Sequence, residues 1–309
     1  MTSEINSTYN NPLKTVRKKI GSWFLKHPNL WTNPLSVSGI FRGITGRFRI
    51  LPDFIIIGAN KCGTTSLYDY LIQHENIHSA LWKELFFFDR YYPRGMNWYR
   101  ANFPFIYKKF FKEKFSKEKF ITGEASPTYL IHPLTPKRIQ KELPKVKLIV
   151  LLRDPVDRAF SHYQMEKRLG YETLSFEDAL EIEEKRLEGE REKMIEDENY
   201  FSYDLQKFSY LTRGIYIDQL KNWLEVFPKD QLLVLQTEEF LENPSKIYKH
   251  VLKFLGLPET DLKSYKKLNV GNYNTMDKKI REKLIEFYKP YNQRLYKYLK
   301  TNFNWGSNE

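Results

Sequence analysis

The run GANKCGTTS, residues 58–66, places a lysine, a glycine and two threonines within five positions, directly after the apolar stretch Phe54–Ile57. A small-residue loop that opens a helix presents backbone N–H groups and the positive end of the helix dipole, so it suits a phosphate or a similar anion. The ordinary nucleoside-triphosphatase loop reads GxxxxGK followed by Ser or Thr, with its lysine directly before the hydroxyl that holds magnesium. Here Lys61 precedes Gly63, and Thr64 and Thr65 follow the glycine. Nor does an apolar strand end in an acidic residue placed for magnesium, because Leu148–Leu152 runs into Arg153 before Asp154. The expectation is anion binding without metal-dependent triphosphate chemistry.

A second set lies in LLRDPVDRAFSHY, residues 151–163. Arg153 at a strand end and Ser161 on the helix after Pro155 offer a guanidinium fork and a hydroxyl donor to one anion. Read alone, Arg153 can instead pair with Asp154 or Asp157, and Ser161 with its own helix backbone. Two anion sites at one edge suit a bisphosphorylated nucleotide. Between the two sets, in LWKELFFFD, Glu84 stands between Lys83 and an aromatic run. Desolvation raises a carboxylate's pKa and a neighbouring Lys83 or Lys61 lowers it, so a general base can be tuned there; an ordinary surface carboxylate is the alternative. Glu124 in GEASPTYL reads as structural support. Trp82, Tyr91, Tyr92 and Trp98 lie close to Glu84 in sequence and can face a sugar or fill the core.

These residues need a scaffold, and 309 residues with 41% hydrophobic and 16% aromatic content can build one. Continuous apolar runs at 54–57 and 146–152 are of the buried parallel-strand type, with further strands expected at 120–123 and 232–236. Helices are expected from Ser66, after Pro136, over 156–169, 215–227, from Pro244 to about Gly256, and over 277–300. Strands alternating with helices predict an α/β fold: one largely parallel sheet with helices on both faces, whose carboxyl edge carries the first loop and binds ligands. Residues 51–306 form that domain. Residues 1–50 are a basic leader with Leu13, Val16, Ile20, Trp23 and Phe24 at helical spacing, expected to pack on or flank the domain rather than lie on a membrane surface.

The charge balance limits the partners. The formal net charge is +12, yet residues 175–198 alone carry −7, leaving +19 on the rest. That acidic stretch is expected as one solvated helix, capped by Ser175, with Phe176, Ala179, Leu180, Ile182 and Leu187 as a thin apolar face. A basic body favours anionic partners: a phosphorylated cofactor, an acidic polysaccharide, anionic lipid or nucleic acid. Cys62 is the single cysteine and the six histidines have no ligand spacing, which excludes an internal disulfide framework and a multi-thiolate zinc site. No apolar run reaches the length of a membrane span, and the first 26 residues lack the apolar centre of a secretory signal, so a cytoplasmic, reducing compartment is expected.

In chain order, PDFIIIGANKCGTTSL, KELFFFD, GEASPTYL, LIVLLRDPVDRAFSHY, RGIYIDQLKNWL and NVGNYNTM resemble the sulfotransferase domain of the heparan sulfate and related carbohydrate sulfotransferases, over about residues 52–305. The resemblance implies a P-loop-containing three-layer fold and an enzyme that moves a sulfuryl group from 3′-phosphoadenosine 5′-phosphosulfate to a hydroxyl, or secondarily an amino group, of a carbohydrate or glycan, without metal. By position, it assigns the 5′-phosphosulfate to the loop of Lys61, Cys62, Gly63, Thr64, Thr65 and Ser66, with Lys61 at the bridging oxygen of the leaving group. Arg153 and Ser161 take the 3′-phosphate, Glu84 falls on the catalytic base, and Tyr273 falls on an aromatic position that contacts the cofactor's adenosine diphosphate part.

The departures concern the acceptor and the fine phosphate contacts. Phe86 stands where the glucosaminyl 3-O-sulfotransferases have a histidine, Ala125 stands where they have a lysine, and their late Lys-Gly-Arg loop and disulfide-bounded insertion have no counterpart. These changes point away from heparan sulfate itself and bear on the fine phosphate contacts, while leaving the core of cofactor binding intact. The expected acceptor is a carbohydrate or glycan, acidic ones included, and not nucleic acid. The rival readings are a magnesium-dependent nucleotide kinase or triphosphatase, which should prefer ATP with magnesium, and a non-catalytic module binding anionic glycans or nucleic acid, which should show steep salt dependence and no nucleotide preference.

Overall fold

The structure, a computed structural model, describes residues 43–266, 268 and 275–306. Five strands form one sheet: β1 (Phe54–Gly58), β2 (Ile77–Ser79), β3 (Ile121–Ala125), β4 (Lys147–Leu152) and β5 (Leu232–Gln236), in the spatial order β2-β3-β1-β4-β5. Every pairing is parallel. Neighbouring residues of both parities are buried along β1, β3 and β4, so both faces of the sheet are covered. This is the expected α/β architecture.

Among the described residues, the helices of eight residues or more are α1 (Thr64–Leu71), α2 (Thr135–Glu142), α3 (Pro155–Arg168), α4 (Tyr216–Leu224), α5 (Pro244–Leu255) and α6 (Lys278–Leu299). Their ends follow local chemistry. Asp154 caps α3 by accepting from the Val156 N–H (2.8 Å), with Pro155 in the first turn. Asp277 accepts from the N–H groups of Lys279 and Ile280 and so starts α6. α1 packs on β1, β3 and α5; α4 packs on α6, and α6 on α3. Trp223 on α4 is fully buried and donates to the carbonyl of Leu130 (3.0 Å), tying that helix to the chain leaving β3. At Gly123 in β3, an added Cβ would lie 2.4 Å from the ring of Phe54, which explains why the strand interrupts its larger residues there.

Two expectations change. The acidic stretch is not one helix: it forms Phe176–Glu181, Glu183–Leu187 and Glu190–Glu196, with breaks at Ile182 and at Gly189 (φ 70°). Ser175 does cap the first, accepting from the Asp178 N–H (3.2 Å). The chain turns because Glu183 is drawn inward, where it accepts from the N–H groups of Leu211 (2.6 Å) and Thr212 (2.8 Å). The short β2 was not expected at all. Of residues 1–50, only 43–50 are described; there Arg49 bridges to Phe105 and the Ile50 N–H donates to Pro104 (3.1 Å), so this part lies on the domain.

Candidate functional site

The loop after β1 is shaped by two residues with positive φ, Lys61 (71°) and Gly63 (85°). Gly63 is the residue that opens α1, and glycine takes this conformation without strain. The loop is fastened from outside: the Ala59 N–H donates to Leu151 (2.8 Å) and the Thr237 hydroxyl to the carbonyl of Cys62 (2.9 Å). Its side chains divide. Cys62 points into the core, its thiol pushed up to about 11 by burial and 3.8 Å from the Tyr216 hydroxyl, so only its backbone can meet a ligand. Thr64 and Ser66 are buried, and the Ser66 hydroxyl accepts from the Leu268 N–H (3.1 Å). Thr65 is half-buried at the mouth of α1.

Lys61 leaves the loop toward α3, where its ammonium lies 3.5 Å from the sulfur of Met165. Burial lowers its pKa first; the charges of Arg168 and Arg153 lower it further, against a weaker opposite pull from Glu166. Arg168 and Arg153 therefore act as like charges on the lysine of the loop that opens α1, only partly offset by Glu166. Arg153 follows β4 directly, its carbonyl held by the Tyr216 hydroxyl (2.9 Å) and its guanidinium 3.9 Å from Asp157. Asp157 is shared with Arg281, so the pairing leaves Arg153 one partner among several rather than a closed ion pair. Ser161 is buried two turns into α3.

Arg168 was not among the residues expected. Ser161, Met165 and Arg168 are spaced by four and three residues, which puts them on one face of α3. That spacing was visible in the sequence and, given Ser161, identifies Arg168 as part of the same face.

Glu84 is held at the carboxyl end of the neighbouring strand. Its N–H donates to the carbonyl of Ala125, the last residue of β3 (2.9 Å), and it adopts a positive φ of 66°. Ala125 is directly opposite Ile56 of β1, so this carboxylate and the Lys61 loop rise from adjacent strands at one edge. Its side chain is partly exposed and pairs with Lys83, whose ammonium is 2.5 Å from Oε1. Beneath it, Glu124 is fully buried and accepts from the hydroxyls of Tyr99 (2.7 Å), Ser126 (2.7 Å) and Tyr129 (3.2 Å). Burial pushes that carboxyl up to about 7, even though the three hydroxyls pull it down. Ser126 and Tyr129 in turn accept the N–H groups of Phe86 (3.3 Å) and Phe87 (2.9 Å). Glu124 is thus a support for the Glu84 segment, as its sequence context indicated.

The aromatic residues near Glu84 are mainly structural. Trp82, Tyr91, Tyr92 and Trp98 are partly buried and pack against the main core, and Phe87 stacks on Tyr99 (4.6 Å). Tyr273 lies outside the described residues. Among the described residues no three His, Cys, Asp or Glu side chains assemble as a metal site, and no helix is long and apolar enough to cross a membrane.

The family model described as Sulfotransferase domain matches residues 51–296. The membrane-associated sulfotransferase kil1 of Dictyostelium discoideum is 28% identical, over 85% of this chain and 68% of that protein. The heparan sulfate glucosamine 3-O-sulfotransferase 3B1 of Mus musculus is also 28% identical, over 92% of this chain and 72% of its own length. Among solved structures, a sulfotransferase from Alicyclobacillus acidocaldarius superposes with a TM-score of 0.62 at 31% identity, covering 82% of this chain and 98% of that one.

Proposed function

Since the chain belongs to the sulfotransferase family, we propose that it moves the sulfuryl group of 3′-phosphoadenosine 5′-phosphosulfate to a hydroxyl group of a glycan, with Glu84 as the base and Lys61 at the leaving group. The observation that supports this most directly is the placement of Lys61, from the loop that opens α1, against Met165 on the α3 face that carries Ser161 and Arg168, with Arg153 and Arg168 both acting on its charge. A bisphosphorylated nucleotide fits it, since the residues present are cations and helix N–H groups. When bound, the co-substrate supplies an activated sulfuryl group on a phosphate leaving group.

The chain's own residues then divide the work. The loop from Lys61 to Ser66 cradles one phosphate end with backbone N–H groups, and the ammonium of Lys61 faces charge as it builds there. Arg153 and Ser161 hold the second phosphate, with Arg168 adding to the positive field. Glu84 receives the proton of the acceptor hydroxyl at Oε1 or Oε2, a position for which the sugar must compete with Lys83. The Glu124 network keeps Glu84's backbone at the end of β3 while this happens. No residue in this account needs a metal ion. The glycan class of the acceptor rests on the carbohydrate sulfotransferase among the relatives, and the net charge of +12 favours an acidic one.

A thermal-shift titration with adenosine 3′,5′-bisphosphate, run beside ATP with and without magnesium, tests the reading without an acceptor. At a concentration about 100 times its Kd the bisphosphate should stabilise the fold by about 2.7 kcal/mol. That response should be lost in Arg153→Ala. A response to ATP only in the presence of magnesium, with none to the bisphosphate, would overturn the proposal in favour of a kinase-like protein.

A further inference from the structure

The segment between α1 and β3 carries a surface that the sulfuryl-transfer reading does not use. Residues 106–111 form a short helix that continues as a wider turn over 112–116. Along it Ile106, Tyr107, Phe110, Phe111 and Phe115 are between 52% and 69% exposed. Isolated exposed apolar residues are ordinary, but a contiguous group is not. This group is contiguous: the rings of Phe110 and Phe111 lie 5.7 Å apart and those of Phe111 and Phe115 stack at 5.6 Å.

Lysines are interleaved with these rings. Residues 105–120 contain six lysines and two glutamates, a net charge of +4. Both glutamates are already paired, Glu113 with Lys109 (3.8 Å) and Glu118 with Lys112 (3.2 Å). Lys114 lies over the Phe110 ring (5.0 Å), and Lys108 and Lys117 are exposed. Phenylalanine beside lysine is the composition that enters the headgroup region of an anionic bilayer, the rings inserting and the ammonium groups meeting the lipid phosphates.

We propose that this surface docks the protein on an anionic lipid membrane, with Phe110, Phe111 and Phe115 as the inserted residues. Charge selects the occupant. A second copy would set one +4 segment against another, and the chain's own residues 1–42, which carry six basic residues and one acidic, would do the same. Both basic segments instead suit a negatively charged partner, and Arg49 and Ile50 pair with Phe105 and Pro104 at the edge of this surface. The surface also lies away from the catalytic edge. Lys109 reaches Asp53, just before β1, and Lys112 donates to Glu75, just before β2, so the segment borders the amino edge of the sheet. Docking there leaves the carboxyl edge open to the aqueous side, where a soluble or outward-reaching glycan can enter.

The test is co-sedimentation of the full chain with phosphatidylcholine vesicles containing either no anionic lipid or about 30% phosphatidylserine. Binding is expected only to the anionic vesicles, weakened by salt, and at least about tenfold weaker in the variant Phe110→Ser/Phe111→Ser/Phe115→Ser. That variant should retain its melting temperature and its adenosine bisphosphate response, since the three rings are exposed and distant from the site. A second variant serves if the first fails to fold: Phe115→Cys carrying an environment-sensitive fluorophore, which Cys62 will not take up because it is buried. Its emission should shift to the blue on anionic vesicles. Several results overturn the proposal: vesicle binding unchanged by the triple substitution, which leaves the leader as the anchor; an unshifted label on bound protein; a dimer that the triple variant converts to monomer; or loss of single-stranded oligonucleotide binding in place of vesicle binding.

Discussion

The ammonium of Lys61 rests 3.5 Å from the sulfur of Met165, on the face of α3 that carries Ser161 one turn before and Arg168 one turn after. A thioether is a weak acceptor and cannot satisfy an ammonium group, so this contact positions Lys61 without neutralising it. The lysine keeps its charge available while α3 fixes where that charge is held.

The first prediction concerns the two cations with different exposure. Lys61→Ala should lower turnover by about 10² to 10³, the usual effect of removing one preorganised donor to developing charge. Arg168 is exposed and screened, so Arg168→Ala should weaken adenosine bisphosphate binding by only about three- to tenfold and leave turnover at saturation nearly intact. Calorimetric Kd values beside kcat and KM separate the two. Equal losses of kcat in both variants would show that Arg168 touches the reacting group.

Proton linkage gives the second. In the free protein the pKa of Lys61 is lowered, by burial first and by Arg168 and Arg153 next; the negative charge of a bound phosphate raises it. Between the lowered and the raised value, binding must take up a proton, and affinity for the bisphosphate therefore falls as pH rises through that interval. Below the lowered value this group contributes no pH dependence. Titration calorimetry at alkaline pH in two buffers of different ionisation enthalpy should show the uptake, and Lys61→Arg should abolish it because arginine does not titrate there.

The third concerns Glu84 and its partner. Glu84→Gln removes a proton acceptor but little volume, so turnover should fall by about 10² to 10⁴ while bisphosphate affinity changes less than about twofold. Lys83→Ala breaks the 2.5 Å pair, which is partly exposed, and should change turnover less than about fivefold. Full activity in Glu84→Gln would remove it as the base.

These assignments were unequally legible in the sequence. The strands β1 and β4 were plain because FIII and LIVLL are continuous apolar runs, and α3 and α5 because Pro155 and Pro244 open them, as Asp277 caps α6. β2 was not, since Ile77–His78–Ser79 has one apolar residue and no period; it forms because β3 offers it a parallel partner. The acidic stretch looked like one helix because its charges disguise Glu183, whose inward turn depends on N–H groups nearly thirty residues away. At the site, Lys61 and Arg153 were readable from local loop and strand-end chemistry. The support of Glu84 was harder to see, for it depends on Tyr99 and Tyr129, whose hydroxyls meet Glu124 only through tertiary packing.

That support gives the last prediction. Glu124 is raised from an ordinary 4.5 to about 7 by burial, so the folded state holds its proton where the unfolded chain has released it. The sign follows: as pH rises from about 4.5 to about 7, ionising this carboxyl favours the unfolded chain, and stability is lost by an amount on the order of 3 kcal/mol. Glu124→Gln keeps an acceptor for the Tyr99 and Tyr129 hydroxyls, and its amide can donate to Ser126, so the network survives without a titrating group. Urea midpoints should then agree between wild type and Glu124→Gln near pH 4 and diverge near pH 7.5, with the variant the more stable. Glu124→Ala should be destabilised at both pH values, because three buried hydroxyls lose their acceptor. It should also lose turnover, since Ser126 and Tyr129 would no longer be fixed against the N–H groups of Phe86 and Phe87 that follow Glu84. Turnover unchanged in a folded Glu124→Ala protein would separate the buried network from the base above it.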